Sequence, residues 1–493
     1  MGIIIRQSFK ASLSNYIGVI IGFASLIYFF PKFFTPSELG AIRLLIELGA
    51  IIGSFGLFGT TYSINRFFPY FKKPPHHNGF FFWVFAIPLC GFALISFNYL
   101  LFEYDFIKLF KSKDAHLIEQ IYPMLIFLIL GVMGQMVLES ANANHGRIAV
   151  PNFLREIMIR SVLLASAGLF YFKYISFDMA CWLVAIAYLM AFVGNLIYLR
   201  TLTPINIKPD FKFLKENPSI KKDGIQFTAW LFISSAAALF ISKVDFLMVS
   251  ATKSLSDTAI YSIGFYIAVL IEIPKRNISQ IATPIIAEHA KNKNLSGLST
   301  LYKQMASTQF LIGSLLFLLL WTNADTLFDF MPNGDFYRSG KSVIFIIGSA
   351  KVLEMIFAPV SPIINNSPFY FWNFITAIFS IISAVSLNYW LIPQYGINGA
   401  AIATLITSFV MYGLSALVVQ IYWKINPFNK TQIISLILLT IGIAISMIPL
   451  NAIGNFWGNS LKSIAIILLF IMAIYKTSVS PEVKSGLQKI FKR

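Results

Sequence analysis

Apolar blocks of about twenty residues recur along the whole of this 493-residue chain, separated by short polar loops. A bilayer's hydrocarbon core is about 30 Å thick, which calls for a helix of roughly 20 apolar residues, so each block has the length of a membrane crossing. The blocks predict spanning helices at 12–34, 39–65, 79–102, 122–143, 153–172 and 177–199, a second set at 225–250, 258–285, 304–322, 341–364, 369–393 and 397–422, and a last pair at 431–450 and 459–475. Barrel strands would be about 9–11 residues of alternating character and do not fit. The expected fold class is all-α: a polytopic transmembrane helical bundle of about 14 helices. Composition agrees. Only 12% of residues are charged, against roughly 25% in soluble domains, too few to cover a water-facing surface.

The formal net charge of +17 does not point to nucleic acid, because the cations are not gathered on one soluble face. They sit mainly in the loops between apolar blocks. With the N-terminus placed in the cytoplasm, 25 of the 38 Lys and Arg fall in the cytoplasmic loops or the cytoplasmic halves of helices, 9 in the opposite loops or at the helix ends beside them, and Arg43, Arg160, Lys243 and Lys351 are set apart as lying within helices. That asymmetry is expected of a membrane protein with an even helix number and both termini inside. Cys90 and Cys181 lie in apolar blocks and imply no disulfide framework. The first block is longer than a signal-peptide core and a second follows at once, so no cleavable signal is expected.

The run 201–224, with three prolines and five lysines, is the longest internal polar stretch and reads as a cytoplasmic basic linker. It would separate an N-terminal six-helix lobe, 1–200, from a C-terminal six-helix lobe, 225–424, leaving 425–493 as an appended two-helix hairpin and basic tail. The halves echo each other weakly. Ser37-Glu38-Leu39-Gly40 opens the second helix and Ser256-Asp257-Thr258-Ala259 the eighth; Tyr174 to Ala180 opens the sixth and Tyr395 to Ala400 the twelfth. Matching segments in two halves mark a transporter repeat, and an even number of helices per half gives both repeats one orientation.

Two segments carry a family resemblance. Lys243 to Ser250 followed by Ala259 to Gly264 resembles the seventh-to-eighth helix signature of Wzx-type polysaccharide flippases, and Leu391 to Thr404 resembles their eleven-to-twelve turn. These flippases belong to the multidrug/oligosaccharidyl-lipid/polysaccharide exporter superfamily. The layout is similar over about the whole chain, the motifs mainly in the second half. The resemblance implies two six-helix lobes around a central cavity, a bacterial inner-membrane location, and alternating access that moves a polyprenyl-pyrophosphate-linked oligosaccharide from the inner to the outer leaflet. Its partners would be membrane lipids, the lipid-linked substrate and a polysaccharide polymerase with its chain-length machinery.

Ionisable groups inside a bilayer cost at least about 2.5–3.5 kcal/mol each on insertion scales, so each is a functional candidate. A pyrophosphate needs cations facing the lumen. The candidates are Arg43, Arg66, Arg147, Lys243, Arg276 and Lys351; for Arg66 and Arg147 the alternative is plain positive-inside charge. Carboxylates suited to proton or sodium coupling are Asp245, Glu272 and Glu354. Local pairing is the structural alternative for several, since Arg43/Glu47, Glu156/Arg160, Lys351/Glu354 and Glu272/Lys275 are three or four residues apart. Lys243 and Asp245, two apart, point in different directions, so each needs another partner, a cavity or substrate. Gly49, Gly53, Gly56 and Gly59 in the second helix are read as close-packing positions with a bending hinge as the alternative. Pro274, Pro284, Pro359 and Pro362 interrupt the eighth and tenth helices.

The five histidines are scattered and make no metal-ligand set, and there is no phosphate-binding glycine loop with its lysine, so no metal, ATP site, other cofactor or enzymatic activity is expected. The first helix, from Ser12 to Phe34, has no acid, whereas the cation-coupled drug exporters of the superfamily tend to place one there. That disfavours a cation-coupled multidrug antiporter, the second expectation. A membrane-embedded polysaccharide polymerase or ligase is the third, and the long outward loop carrying arginines that it calls for is missing.

Overall fold

The structure, a computed structural model, describes residues 2–71, 79–109, 114–210, 215–216, 218–367, 369, 371–450 and 454–477. Among them every predicted crossing has a helical counterpart. We number these α1 (2–33), α2 (Pro36–Gly56), α3 (Phe80–Leu101), α4 (Ala115–Asn144), α5 (149–171), α6 (Phe177–Leu202), α7 (Pro218–Thr252), α8 (255–291), α9 (Leu295–Thr322), α10 (341–365), α11 (Phe371–Tyr395), α12 (Ile397–Trp423), α13 (Lys430–Ser446) and α14 (Asn455–Thr477). Ten of the described helices are long and apolar enough by themselves to cross a membrane. The protein is thus a multi-pass, all-helical membrane protein. Three of the four numbered helices outside that set, α5, α10 and α13, have visible reasons; the fourth is α7. α5 carries Arg155, Glu156 and Arg160, α10 is interrupted and holds Lys351 and Glu354, and α13 is 17 residues long. Residues 211–214 and 217 of the expected linker and 478–493 of the expected basic tail lie outside the described residues.

Helix starts are written in the sequence. At α2, Thr35 Oγ1 accepts from the Glu38 N–H (3.4 Å) while Glu38 Oε2 accepts from the Thr35 N–H (2.8 Å), with Pro36 next in line. This reciprocal cap satisfies two amides that the helix itself leaves open. Ser254 caps α8 through the Asp257 N–H (3.0 Å), and Asn429 with Gln432 repeats the reciprocal cap at α13. Gly396 joins α11 to α12 at φ 58°, ψ −136°, a conformation essentially reserved to glycine.

The chain divides by contacts into two compact units, Met1–Ala259 and Ile260–Arg493. In the first, α2, α4 and α6 pack in series, α3 and α7 lie on α2, and α5 lies on α1 and α6. Small residues let these backbones approach, as apolar helices in lipid require. A Cβ added to Gly53 would sit 3.3 Å from Val132, and one at Gly56 2.8 Å from Met133. Buried Asn142 on α4 donates to the Asn195 carbonyl of α6 (3.3 Å). In the second unit α10 packs on α12, α11 on α12 and α9 on α8 and α10. The final pair packs on α9, where Phe310, Phe317 and Leu318 meet Leu438, Ile466 and Phe470.

Several helices are broken. α2 stops at Gly56, passes Phe58 (φ 44°) and Gly59 (φ 75°), and resumes as Thr60–Phe67. α8 tightens into a 3₁₀ turn at Leu270–Glu272, just before Pro274. α10 breaks at 357–359, where Pro359 stands, and continues as Val360–Asn365. No break accompanies Pro284, which lies within Ile273–Lys291. α1 and α5 each contain a π-helical turn, at Ser25–Phe29 and Leu154–Met158.

Candidate functional site

The first unit holds one group of intramembrane charges between α2 and α7. Glu47, 2% exposed, takes a salt bridge at 2.8 Å from Lys243 on α7. Lys243 Nζ also stands 5.6 Å from the centre of the Phe246 ring, and Arg43, one turn before Glu47, places its guanidinium 5.7 Å from the Phe30 ring of α1. Such aromatic faces stabilise a cation held away from water. Asp245, two residues beyond Lys243, is 2% exposed. The sequence left Lys243 needing another partner, a cavity or substrate, and the structure gives it Glu47.

Nearer the expected cytoplasmic end, Asn144 of α4 donates to Asn65 at 2.8 Å, tying α4 to the short helix that bears Arg66. The Arg66 side chain lies outside the described residues. Arg147 is half-buried just beyond α4 and forms no ion pair among the described residues; its N–H bonds to the Asn142 carbonyl (3.1 Å). Sequence reasoning missed Glu139, which accepts from Arg155 at 2.7 Å. The expected Glu156–Arg160 pair is present at 2.7 Å. Arg160 further donates to the Gly18 carbonyl of α1.

The second unit gathers a denser network from three helices. Glu272 occupies the 3₁₀ turn of α8 and Lys275 the next turn; Lys351 and Glu354 lie on α10, just before its break; Ser408 and Tyr412 lie on α12. Lys275 Nζ reaches Glu354 Oε2 (3.2 Å), Glu272 Oε1 (3.6 Å) and the Tyr412 hydroxyl (3.3 Å). Lys351 Nζ reaches Glu354 Oε1 (2.9 Å) and Glu272 Oε2 (3.4 Å), and Ser408 Oγ donates to Glu354 Oε1 (3.3 Å). Lysine and glutamate therefore alternate around a ring. The side chains of the four charged groups are 8–18% exposed. The two local pairs were legible from spacing. The cross-links between α8, α10 and α12 were not, and neither were Ser408 and Tyr412, although their four-residue spacing puts them on one helix face. The Arg276 side chain lies outside the described residues.

Outside the membrane-spanning segments, Arg338 bridges Asp325 (3.4 Å) and Asp329 (2.5 Å), and Lys341 meets Asp325 at 2.6 Å. The hydrogen bond from Arg338 holds the Asp329 carboxyl below its ordinary range and raises the guanidinium in turn. Among the described residues no group of three or more His, Cys, Asp and Glu is placed to hold a metal ion.

An all-helical membrane bundle with buried charges facing one another across helices has known counterparts among transporters. The chain superposes on an inward closed conformation of the lipid II flippase MurJ with a TM-score of 0.74 at 16% identity, covering 95% of this chain and 99% of that one. It also superposes on an inward-facing multidrug resistance MATE family transporter of the MOP superfamily (TM-score 0.64, 14% identity, 83% and 94% covered). A Vibrio cholerae MATE transporter, VcmN, matches at 0.53 with 13% identity, covering 86% and 98%. No protein-family model and no curated protein matches the chain. At these identities what is shared is the fold: that of MOP superfamily transporters.

Proposed function

We propose that this protein carries a polyprenyl-pyrophosphate-linked oligosaccharide from the cytoplasmic to the outer leaflet of a bacterial inner membrane by alternating access, in polysaccharide or lipopolysaccharide biosynthesis. The observation that carries the reading is the pair of intramembrane cations, Arg43 and Lys243, on neighbouring helices of one unit. A pyrophosphate presents only acceptor oxygens and negative charge, which a guanidinium fork and an ammonium satisfy together. The fold supports it too, since the lipid II flippase, named for a lipid-linked substrate, matches along 95% of this chain against 83–86% for the MATE transporters. Within the same unit, Arg66 and Arg147 would extend the cationic path and Asp245 would couple it to protons or sodium; in the second unit Arg276 and Lys351 are further candidate cations, and Glu272 and Glu354 further candidate coupling carboxylates. Both termini would be cytoplasmic, and the product would pass to a polymerase and its chain-length machinery.

Deleting the gene and analysing lipid-linked sugars on each leaflet tests this. Accumulation on the cytoplasmic leaflet, restored by the wild-type gene but not by Arg43→Ala or Lys243→Ala at normal protein level, is the expected result. Normal translocation with unpolymerised sugar outside would overturn it. The buried carboxylates Glu47 and Glu354 favour a second reading, a cation-coupled multidrug antiporter; unchanged glycolipids with altered drug sensitivity would select that one.

A further inference from the structure

A cleft of about 400 Å³ opens in the first unit between α2, α3 and α4, within the size range of ligand sites. Ile52 and Gly56 of α2, Gly91 and Leu94 of α3, and Leu125 and Ile129 of α4 wall it, and Phe232 of α7 adds to the lining. The two glycines let α2 and α3 meet: a Cβ on Gly91 would fall on the Gly56 carbonyl. Only three lining side chains, Asn98, Tyr99 and Tyr122, carry hydrogen-bonding groups, and none is charged. Both tyrosine hydroxyls are already spent between α3 and α4. Tyr99 donates to the Tyr122 carbonyl (2.7 Å) and Tyr122 to the Tyr99 carbonyl (2.6 Å), with the rings stacked 4.2 Å apart. Asn98 Nδ2 donates to the Leu94 carbonyl (2.8 Å). A charged or hydroxyl-rich ligand would give up its water here and gain little in return. Hydrocarbon is the occupant that the lining suits, and an apolar void left empty forfeits the dispersion contacts of its walls.

Position decides where the hydrocarbon comes from. Leu94 and Phe102 line the cleft and are still 56% and 52% exposed, so it is open sideways along α3, toward the bilayer. Gly91 stands midway along α3 and Phe102 just past its end, a span of about 17 Å at 1.5 Å per residue. One leaflet supplies about half of a 30 Å hydrocarbon core, so the cleft is about as long as one acyl chain lying in a single leaflet. The substrate chain of the flippase reading belongs elsewhere. Ile52 follows Arg43 by about two and a half helical turns, so the cleft lies on the face of α2 turned away from Arg43. A lipid whose pyrophosphate rests on Arg43 and Lys243 reaches the cleft only by passing its chain round α2.

We propose that the cleft holds one acyl chain of a bilayer phospholipid, in the leaflet at the C-terminal end of α3, as a lipid site separate from the substrate path. Such a site would serve a multidrug antiporter of this fold as well as a flippase.

Purified full-length protein would be reconstituted into phosphatidylethanolamine–phosphatidylglycerol vesicles doped with a phospholipid bearing a diazirine midway along one acyl chain. A parallel sample would carry a polyprenyl pyrophosphate with a diazirine in its chain. After illumination, labelled residues are mapped by mass spectrometry. The expected result is phospholipid label on 91–102 and 122–129 in excess of that on the similarly exposed Ile464 and Leu468 of α14. The excess should be at least about threefold, a modest factor because in lipid it is packing, not the hydrophobic effect, that sets one chain position apart from another. Leu94→Trp, which fills the mouth of the cleft, should remove the excess. Ile129→Trp fills it from α4 and decides the matter if the first variant does not fold. Label spread evenly over lipid-facing helices, or an excess that neither folded variant moves, would show only the ordinary lipid shell and overturn the proposal. Polyprenyl label concentrated in the cleft and displacing the phospholipid would overturn it too, and would make the cleft part of the substrate path.

Discussion

Glu47 is 2% exposed and lies 2.8 Å from Lys243, so the two are a buried pair joining α2 to α7. Removing one partner of such a pair strands the other's charge in a poor solvent and costs about 3–5 kcal/mol when both are fully buried. Lys243 keeps 21% side-chain exposure, which places the expected loss at or below the low end of that range. Lys243→Met should therefore lower the melting temperature in detergent, and Glu47→Gln in the same background should recover part of the loss. Additive losses in that double-mutant cycle would show that the two side chains do not interact. If Lys243 also holds substrate, export stays impaired in the stabilised double variant. The pair shows what a sequence conceals. Lys351/Glu354, Glu272/Lys275 and Glu156/Arg160 were legible because helix geometry brings residues three or four apart together. Lys243 and Glu47 meet only through packing of helices far apart in the chain, so the sequence could leave Lys243 needing a partner, a cavity or substrate without naming which.

Small residues set how closely the helices approach. A Cβ on Gly49 would fall on the Leu128 side chain of α4, so Gly49→Val must push α2 off α4 or force Leu128 from its position. Overpacking of this kind costs about 1–3 kcal/mol. Gly413 of α12 has open space where its Cβ would stand, so Gly413→Ala should be neutral or stabilising by up to about 1 kcal/mol, since glycine weakens a helix interior. The check is the melting temperature of both variants in one detergent; equal falls would mean that α2–α4 contact is not what Gly49 serves. The second-helix glycines were expected to pack closely, and Gly49, Gly53 and Gly56 do. Gly59 does so too, a Cβ there falling 2.8 Å from the Thr228 carbonyl, and it also stands in the break between Gly56 and Thr60, where its positive φ is used. The breaks before Pro274 and at Pro359 were legible from proline's missing N–H. The π-helical turns in α1 and α5 were not, because one extra residue in a turn leaves the apolar pattern nearly unchanged.

Orientation is a property of the whole chain, and for this one it rests on the loop charges alone. With the termini inside, Lys208 and Lys424 face the cytoplasm, whereas Lys173 and Asp335 face outward; all four are exposed. The split of 25 cations against 9 favours that arrangement because basic loops are retained on the cytoplasmic side during insertion. Direction of transport follows from it, since cations nearest the cytoplasmic mouth, Arg66 and Arg147, would load the substrate only if that mouth faces the cytoplasm. Cys90 and Cys181 are the chain's two cysteines, so a cysteine-free background needs two substitutions. In that background, single cysteines at Lys173 and Asp335 should react in intact spheroplasts with a maleimide that cannot cross the membrane. Cysteines at Lys208 and Lys424 should react only after permeabilisation. The reverse pattern would invert the topology and place Arg66 and Arg147 at the outer face, where they could receive a substrate but not load one from the cytoplasm. Labelling of Lys173 and Lys424 on the same side would instead require an even number of crossings between them in place of the seven expected, α6 to α12, and would break the fourteen-helix count on which the parallel repeat depends.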